Sequence, residues 1–538
     1  MKPEFETLAD HFLVDALLTE FERAKQRIYQ ADRATPCDSV KLYDGRTVWL
    51  KREDQSRVHS FKWRGAYNRM ASLSESGWQG TVVAASAGNH AQGVALAAEA
   101  LKMNGVIFMP RFTPFLKQQA VKRLGGPWVD IRLSGDTYDQ AAAAARDFQR
   151  QHHQSEFIHP FDDLLVIAGQ ATLAAEIPTD ADPDLVLLGI GGGGMAAGVA
   201  AVIRQRFPRA KIIGVEVLGQ DSMRQSIVGN QRICLPEVSR LCDGTAVASP
   251  GFLNFELCRE LLDDVWVVSE WQVCTAVEWL WVEHRIVVEP SAAIGLAAAM
   301  ASAADSPCYD QTIAAHYGDL GLPKFANLLT VLSGANVDLI ALPKISAASR
   351  LSPRSRRYYR FEIAEQAGTL VGLLDQFLED LNIIDFQYGK LSQSVAYPVV
   401  GVEAFPWELT DFEQRLTPYV TFEDVSERTE VEFRLVPCQP DLMKNPLFAV
   451  VEFPDRPGAL REFLRSIACR INVCYFNYAT SGQGVGQALM GFEFESLESR
   501  AQFIQQSATM PHRFRKLSTA EFARSRNTKC QCRYDLLI

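Results

Sequence analysis

The chain of 538 residues has no CxxC pair, and its 11 cysteines, scattered from Cys37 to Cys532, show none of the paired spacings of a structural zinc site. Their odd number also argues against a closed disulfide framework, so they read as reduced, packed thiols. No apolar run reaches the roughly 18 to 20 residues that span a bilayer. The start, Met1-Lys2-Pro3-Glu4-Phe5-Glu6, lacks a signal-peptide profile, which makes the cytoplasm the expected location. Excess positive charge is missing too: 54 lysines and arginines face 64 aspartates and glutamates, a formal charge of -10. Wholesale binding to nucleic acid or to an anionic membrane is therefore not expected, and small molecules and other subunits are the expected partners. No metal site is expected.

What is present is the composition of a globular protein, 47% hydrophobic and 22% charged, in a chain too long for one core. From about residue 40 to 345, short β-branched runs alternate with alanine-rich helical stretches. Examples are Thr81 to Ala84 before His90 to Ala100, and Leu185 to Ile190 before Met195 to Phe207. That alternation predicts a parallel α/β sheet with helices on both faces, whose ligands sit in loops at the carboxyl ends of strands. The expected domains are a catalytic region 1–345, a serine-, arginine- and proline-rich linker 346–357, and two further modules, 358–435 and 446–538.

The last two modules are repeats. Phe361 to Leu370 aligns with Val451 to Leu460 at an offset of 90, which also superposes Gly368 on Gly458, Asn382 on Asn472, and Phe386-Gln387-Tyr388 on Phe476-Asn477-Tyr478. Each copy reads as strand, glycine turn opening a helix, strand and a further hairpin, an α+β ferredoxin-like module. Neither copy holds a catalytic cluster. Two roles stand open: structural oligomerisation, or ligand binding at the turns around Gly368 and Gly458, where free backbone N–H groups take a carboxylate.

Three loops of the first region converge on one chemistry. In Ser60-Phe61-Lys62-Trp63-Arg64-Gly65, a lysine flanked by large apolar residues is desolvated, which lowers its pKa and suits capture of an aldehyde. Taken alone it is an ordinary surface lysine. Ser86-Ala87-Gly88-Asn89-His90 lies between a strand and a helix start, so its backbone offers donors to a substrate carboxylate and Asn89 offers one to a phenolate oxygen. An Asn-capped helix is the plain alternative. Gly191-Gly192-Gly193-Gly194-Met195 lets the backbone close around a phosphate. Gly191-x-Gly193 lacks the glycine at 196 that a dinucleotide fingerprint in that frame needs, and no Gly-Lys-Ser/Thr of a P-loop follows.

Together the loops resemble those of the fold-type II pyridoxal-phosphate enzymes, in the serine/threonine dehydratase branch. The catalytic half followed by two ACT-like repeats is similar to the biosynthetic threonine dehydratases, or threonine ammonia-lyases, over nearly the whole chain from about residue 40. The resemblance implies a tryptophan-synthase-β-like fold of two parallel-sheet subdomains, with pyridoxal 5'-phosphate as cofactor. By it Lys62 would hold the cofactor and then remove the substrate's Cα proton, and Phe61 would pack on the ring. Asn89 would bond its 3-oxygen, and Gly191 to Gly194 with Met195 its phosphate. Ser333, in Val331-Leu332-Ser333-Gly334-Ala335-Asn336, would face the pyridine nitrogen; a hydroxyl cannot sustain a pyridinium, which favours β-elimination over transamination.

Pro160-Phe161-Asp162, Ala168-Gly169-Gln170 and Glu289-Pro290-Ser291 resemble family segments near the pocket. Glu216 and Asp221 fall where related racemases bind a cation, though two carboxylates five apart more often belong to a solvated loop. Racemases place a serine where this chain has Ala87, so elimination is favoured over racemisation. The resemblance also implies a homotetramer, inhibition by isoleucine and opposition by valine. Trp63, Ala171 and Ala292 are bulkier than or different from the family pattern and are expected to add volume near the pocket. Two alternatives stay open: a related lyase of serine or another β-substituted amino acid, and a retired amino-acid sensor, whose mark would be loss of Lys62, Asn89 or Ser333.

Overall fold

The computed structural model describes residues 8–338, 341–349, 355–378, 381–404, 406–426, 428, 431, 434, 436–454, 462–465, 471–479, 485–507 and 513–517. The chain divides into two compact units, Met1–Leu351 and Ser352–Ile538. No helix among the described residues is long and apolar enough to cross a membrane.

Among the described residues the first unit has ten strands: β1 (Cys37–Lys41), β2 (Thr47–Arg52), β3 (Thr81–Ala85), β4 (Asn104–Met109), β5 (Val129–Leu133), β6 (Ser155–Phe157), β7 (Leu185–Gly189), β8 (Lys211–Val217), β9 (Asp264–Val268) and β10 (Asn327–Leu332). They form a six-stranded sheet ordered β1-β2-β10-β7-β8-β9 and a four-stranded sheet ordered β5-β4-β3-β6. Every pair is parallel except β1 with β2, so the two parallel-sheet subdomains are as expected. Leu185, Val186, Leu187 and Leu188 are all fully buried, as a strand covered by helices on both faces requires.

The helices that matter for the site are α1 (Leu8–Ala31), α2 (Lys62–Glu75), α3 (Asn89–Leu101), α4 (Phe115–Gly125), α5 (Tyr138–Gln151), α6 (Leu164–Ala175), α7 (Gly194–Arg206) and α8 (Ser222–Val228). Helix α1, for which the sequence suggested no role, buries Leu17, Phe21 and Ala24 in the core shared by α6 and α7. One turn on, its Ile28 packs with Val58, Trp63 and Leu96.

That contact corrects an expectation. Trp63 is 1% exposed and turned toward α1, not toward the loops at the strand ends. Ala171 packs in the α6–α7 core, where a Cβ on Gly198 would stand 3.1 Å from its backbone nitrogen, and Ala292 lies in the core on the other side of the large sheet. None of the three departures from the family pattern adds volume to the site.

In the second unit, β11 (Ser355–Ala364), β12 (Asn382–Gly389), β13 (Val395–Ala396), β14 (Val399–Ala404), β15 (Thr421–Asp424), β16 (Leu447–Pro454), β17 (Asn472–Ala479), β18 (Val485–Glu493) and β19 (Arg513–Leu517) form one continuous sheet. Each repeat is a strand–helix–strand–strand–helix–strand module: β15-β11-β14-β12 in the first and β19-β16-β18-β17 in the second, the same antiparallel order in both. The copies join edge to edge through antiparallel β12 and β17. Each carries a register shift at the same repeat position, between Ile383 and Asp385 and between Val473 and Tyr475. Of residues 346–357, expected as linker, 346–348 belong to a helix that runs Leu342–Ala348 and 355–357 belong to β11, which begins at Ser355 paired with Ala404 of β14. The turn at Gly458, the segment after Ser525 and the cysteines Cys530 and Cys532 lie outside the described residues.

Candidate active site

Lys62 opens α2, and the chain before it is laced to the loop after β10. Ser60 bridges Gly334, and the Phe61 N–H donates to the Ser333 carbonyl at 3.1 Å. Two residues on, Arg64 is locked into a buried ionic group. Its guanidinium donates to Glu53 at 2.8 Å and to Glu176 at 2.6 Å, while Lys51 reaches Glu176 at 2.7 Å. Lys51, Glu53 and Arg64 are each 0% exposed. Two cations and two anions so arranged compensate one another's desolvation, and their geometry fixes the first turn of α2.

The Lys62 amine donates to the Pro160 carbonyl at 3.0 Å and stands 5.1 Å from the Phe61 ring centroid and 5.9 Å from that of Phe161. Burial lowers its pKa from 10.5 to about 8, against the opposing pull of Glu289. An amine so poised has a neutral fraction near physiological pH far above that of a solvated lysine, and the neutral form is the one that attacks an aldehyde.

Lys62 lines a cleft of about 560 Å³ together with Phe61, Asn89, Gly191, Gly192, Gly193, Gly194, Met195 and Ser333. The glycines have no room for side chains. A Cβ on Gly192 would stand 2.4 Å from the Phe161 ring, and one on Gly194 2.8 Å from the Phe161 carbonyl; Gly193 has φ +95°. The Gly192 carbonyl accepts from the Asn254 amide at 2.8 Å and from the Gly251 N–H at 3.1 Å. In a trans peptide the Gly193 N–H then points the opposite way. With the start of α7 behind it, the segment has the geometry to cradle an anion.

Asn89 donates to Glu289 at 2.7 Å. Burial, with the charge of Asp243 adding, raises the Glu289 carboxyl to about 7. Pro160, Phe161, Gln170 and Glu289, from segments singled out in the sequence, also line the cleft. Gly189, Gly244, Thr245 and Ser291 line it as well. Gly244-Thr245 carried no signal in the sequence, since it reaches the cleft only through a long excursion between β8 and β9. The Ser291 hydroxyl is buried without a hydrogen-bond partner, a polar demand left open toward the cleft.

Ser86, Ala87, Gly88 and His90 are not among the lining residues. The first three form the half-buried turn into α3, with the Gly88 N–H bonded to the Ser86 hydroxyl at 3.2 Å. His90 is buried, its Nε2 is 2.9 Å from the Ile158 carbonyl, and burial pushes its pKa down to about 3, so its ring is a neutral structural element. Glu216 accepts the backbone N–H groups of Met223 and Arg224 at 2.9 and 2.8 Å, which occupies both its oxygens in starting α8. Among the described residues no group of three or more histidine, cysteine or acidic side chains is placed to hold a metal ion.

An amine for an aldehyde, a side-chain-free anion cradle, an amide and an orphaned hydroxyl fit pyridoxal 5'-phosphate. Residues 28–316 match the family model described as pyridoxal-phosphate dependent enzyme, and 442–525 match the C-terminal regulatory domain of threonine dehydratase. The biosynthetic L-threonine dehydratase of Haemophilus influenzae is 34% identical over 513 residues, covering 92% of this chain and 94% of its own. That of Escherichia coli K12 is 34% identical over 487 residues, 88% of this chain and 91% of its own. A solved structure of the processed form of threonine deaminase isoform 2 from Solanum lycopersicum superposes with a TM-score of 0.56 at 36% identity, covering 62% of this chain and 88% of that one. The chain belongs to the pyridoxal-phosphate-dependent enzymes, in the threonine dehydratase family.

Proposed function

We infer that the protein is a threonine ammonia-lyase, converting L-threonine to 2-oxobutanoate and ammonia by β-elimination of water, the first step of isoleucine biosynthesis. The observation that carries this is a lysine amine of lowered pKa facing a cradle with no room for side chains across one cleft. Bound pyridoxal 5'-phosphate supplies the electron sink for the carbanion at Cα. Lys62 is assigned the covalent anchoring of the cofactor and, once released, removal of the Cα proton. Phe61 would pack on the ring, Gly191 to Gly194 with Met195 would hold the phosphate, and Asn89 would donate to the 3-oxygen. Ser333 would meet the ring nitrogen with a hydroxyl, and the turn Ser86 to His90, of which Asn89 alone lines the cleft, is assigned the substrate carboxylate.

The test is spectroscopic and chemical. The purified protein is expected to absorb near roughly 410 nm, as a lysine-bound pyridoxal does, and to release keto acid on adding threonine faster than on adding serine. Lys62→Ala is expected to abolish both signals. A colourless wild-type protein that releases no 2-oxobutanoate overturns the assignment.

The second unit is assigned amino-acid effectors, isoleucine as inhibitor and valine opposing it. A cavity of about 440 Å³ adjoins the Gly368 turn. Leu370, Leu464 and Val473 offer it apolar surface, and Glu365, Tyr388 and Asn472 offer polar groups that suit an ammonium. Calorimetry on the full chain is expected to show binding of both, with coupling of about 1 to 3 kcal/mol to activity; no heat from either overturns it. The protein is further placed in the cytoplasm as a homotetramer, which light scattering of the purified chain tests.

A further inference from the structure

We propose that Asn336 is a positioning residue that acts through Asn89, setting which end of the Asn89 amide faces the cofactor. The inference rests on the cofactor placement given above, and it comes from a short chain of amides. The Asn336 side-chain nitrogen donates to the Val58 carbonyl at 2.9 Å and to the Asn89 carbonyl oxygen at 2.7 Å. A backbone carbonyl only accepts, so Val58 dictates that nitrogen, not oxygen, occupies this corner of Asn336. Asn89 must then turn its own oxygen toward Asn336. Its nitrogen is left on the other side, where one N–H donates to Glu289 at 2.7 Å. The second N–H remains for an acceptor in the cleft that Asn89 lines, and the 3-oxygen of the cofactor is such an acceptor.

Glu289 is itself tied to the same loop, its backbone N–H donating to the Gly334 carbonyl at 3.1 Å. Asn336 therefore holds the oxygen end of the Asn89 amide and Glu289 its nitrogen end. The Asn336 side chain does not line the cleft, so its effect on the cofactor is transmitted. Without Asn336 only Glu289 holds the Asn89 amide, and when that carboxyl carries a proton the amide can rotate by half a turn and offer oxygen where an N–H is needed, which sets two lone pairs against each other.

The experiment is a double-mutant cycle on cofactor affinity. Apoprotein is titrated with pyridoxal 5'-phosphate, and the dissociation constant and the position of the visible band are recorded for wild type, Asn336→Ala, Asn336→Asp, Asn89→Ala and the two double variants. Melting curves report folding separately. Asn336→Ala is expected to weaken binding by about tenfold, the scale of one hydrogen bond to a charged group, and to move the band. Asn336→Asp, nearly isosteric but able only to accept, is expected to do worse, because it draws the Asn89 N–H away from the cleft. In the Asn89→Ala background both substitutions are expected to have no further effect on the constant. A purely structural role gives a different pattern: the band unmoved, and losses that add to those of Asn89→Ala. That pattern overturns the proposal, as does wild-type affinity in both variants. If wild type itself shows no visible band, the cofactor assignment has failed instead.

Discussion

Gln387 lies directly opposite Asn477, the residue ninety positions later, in the antiparallel pair of β12 and β17. Phe386 pairs with Tyr478 and Tyr388 with Phe476, so the two repeats exchange places about this central pair. The rings of Phe386 and Phe476 meet at 4.6 Å and are both fully buried. Phe476→Ala is expected to cost about 3 to 5 kcal/mol in the second unit. Calorimetric unfolding should show a transition moved to lower temperature, with the visible cofactor band kept below it.

Lys62 sets a pH dependence. Because burial lowers its pKa from 10.5 to about 8, the neutral amine that captures an aldehyde accumulates through about pH 8. The rate at which apoprotein takes up pyridoxal 5'-phosphate, followed by stopped-flow absorbance, is expected to rise with pH to a midpoint near 8 and then level off. A midpoint near 10.5 would place the amine in water.

Gly192→Ala is expected to weaken cofactor binding by at least about tenfold, because the new methyl needs the space of the Phe161 ring and that ring would be driven into the cleft. Equilibrium dialysis of the cofactor measures this.

Trp63→Leu is expected to leave the ratio of kcat/KM for threonine over serine unchanged and to lower stability by about 1 to 3 kcal/mol. The indole packs against Ile28 of α1 and does not line the cleft. A changed ratio would show that the position reaches the cleft.

Glu216 links stability to pH. Burial raises its pKa from 4.5 to about 8, so the folded state keeps a proton that the unfolded chain releases. Its contribution is fully present below about pH 4.5 and is lost as the pH rises toward 8. The melting temperature of wild type is expected to fall relative to that of Glu216→Gln between those limits. Parallel curves would show that Glu216 is ionised in the fold.

Much of this was legible in the chain because it is local. The alternation of strand and helix, the glycine turns and the ninety-residue repeat each lie within a few tens of residues, and the strand-end position of Lys62, Asn89 and the tetraglycine follows from that alternation. What escaped depends on where distant surfaces meet. Trp63 reads as a pocket residue until α1 is seen to cover it. Glu289 becomes Asn89's partner, and Gly244 a wall of the cleft, only when the ends of two separate sheets are brought together. His90, adjacent to Asn89 in sequence, faces the other way because a helix turns its residues by about 100° each.

The position of β10 has a consequence for how the chain folds. It is the last strand of the first unit, yet it sits between β2 and β7 in the middle of the large sheet. A growing polypeptide that has not emerged past residue 332 has two half-sheets with facing unpaired edges and no Ser333. Such edges are sticky, and closing them joins residues almost three hundred apart, a high contact order that makes for slow folding. Synthesis of the cofactor site is thus completed from its centre, and a chain stopped early is an aggregation hazard, not a smaller enzyme.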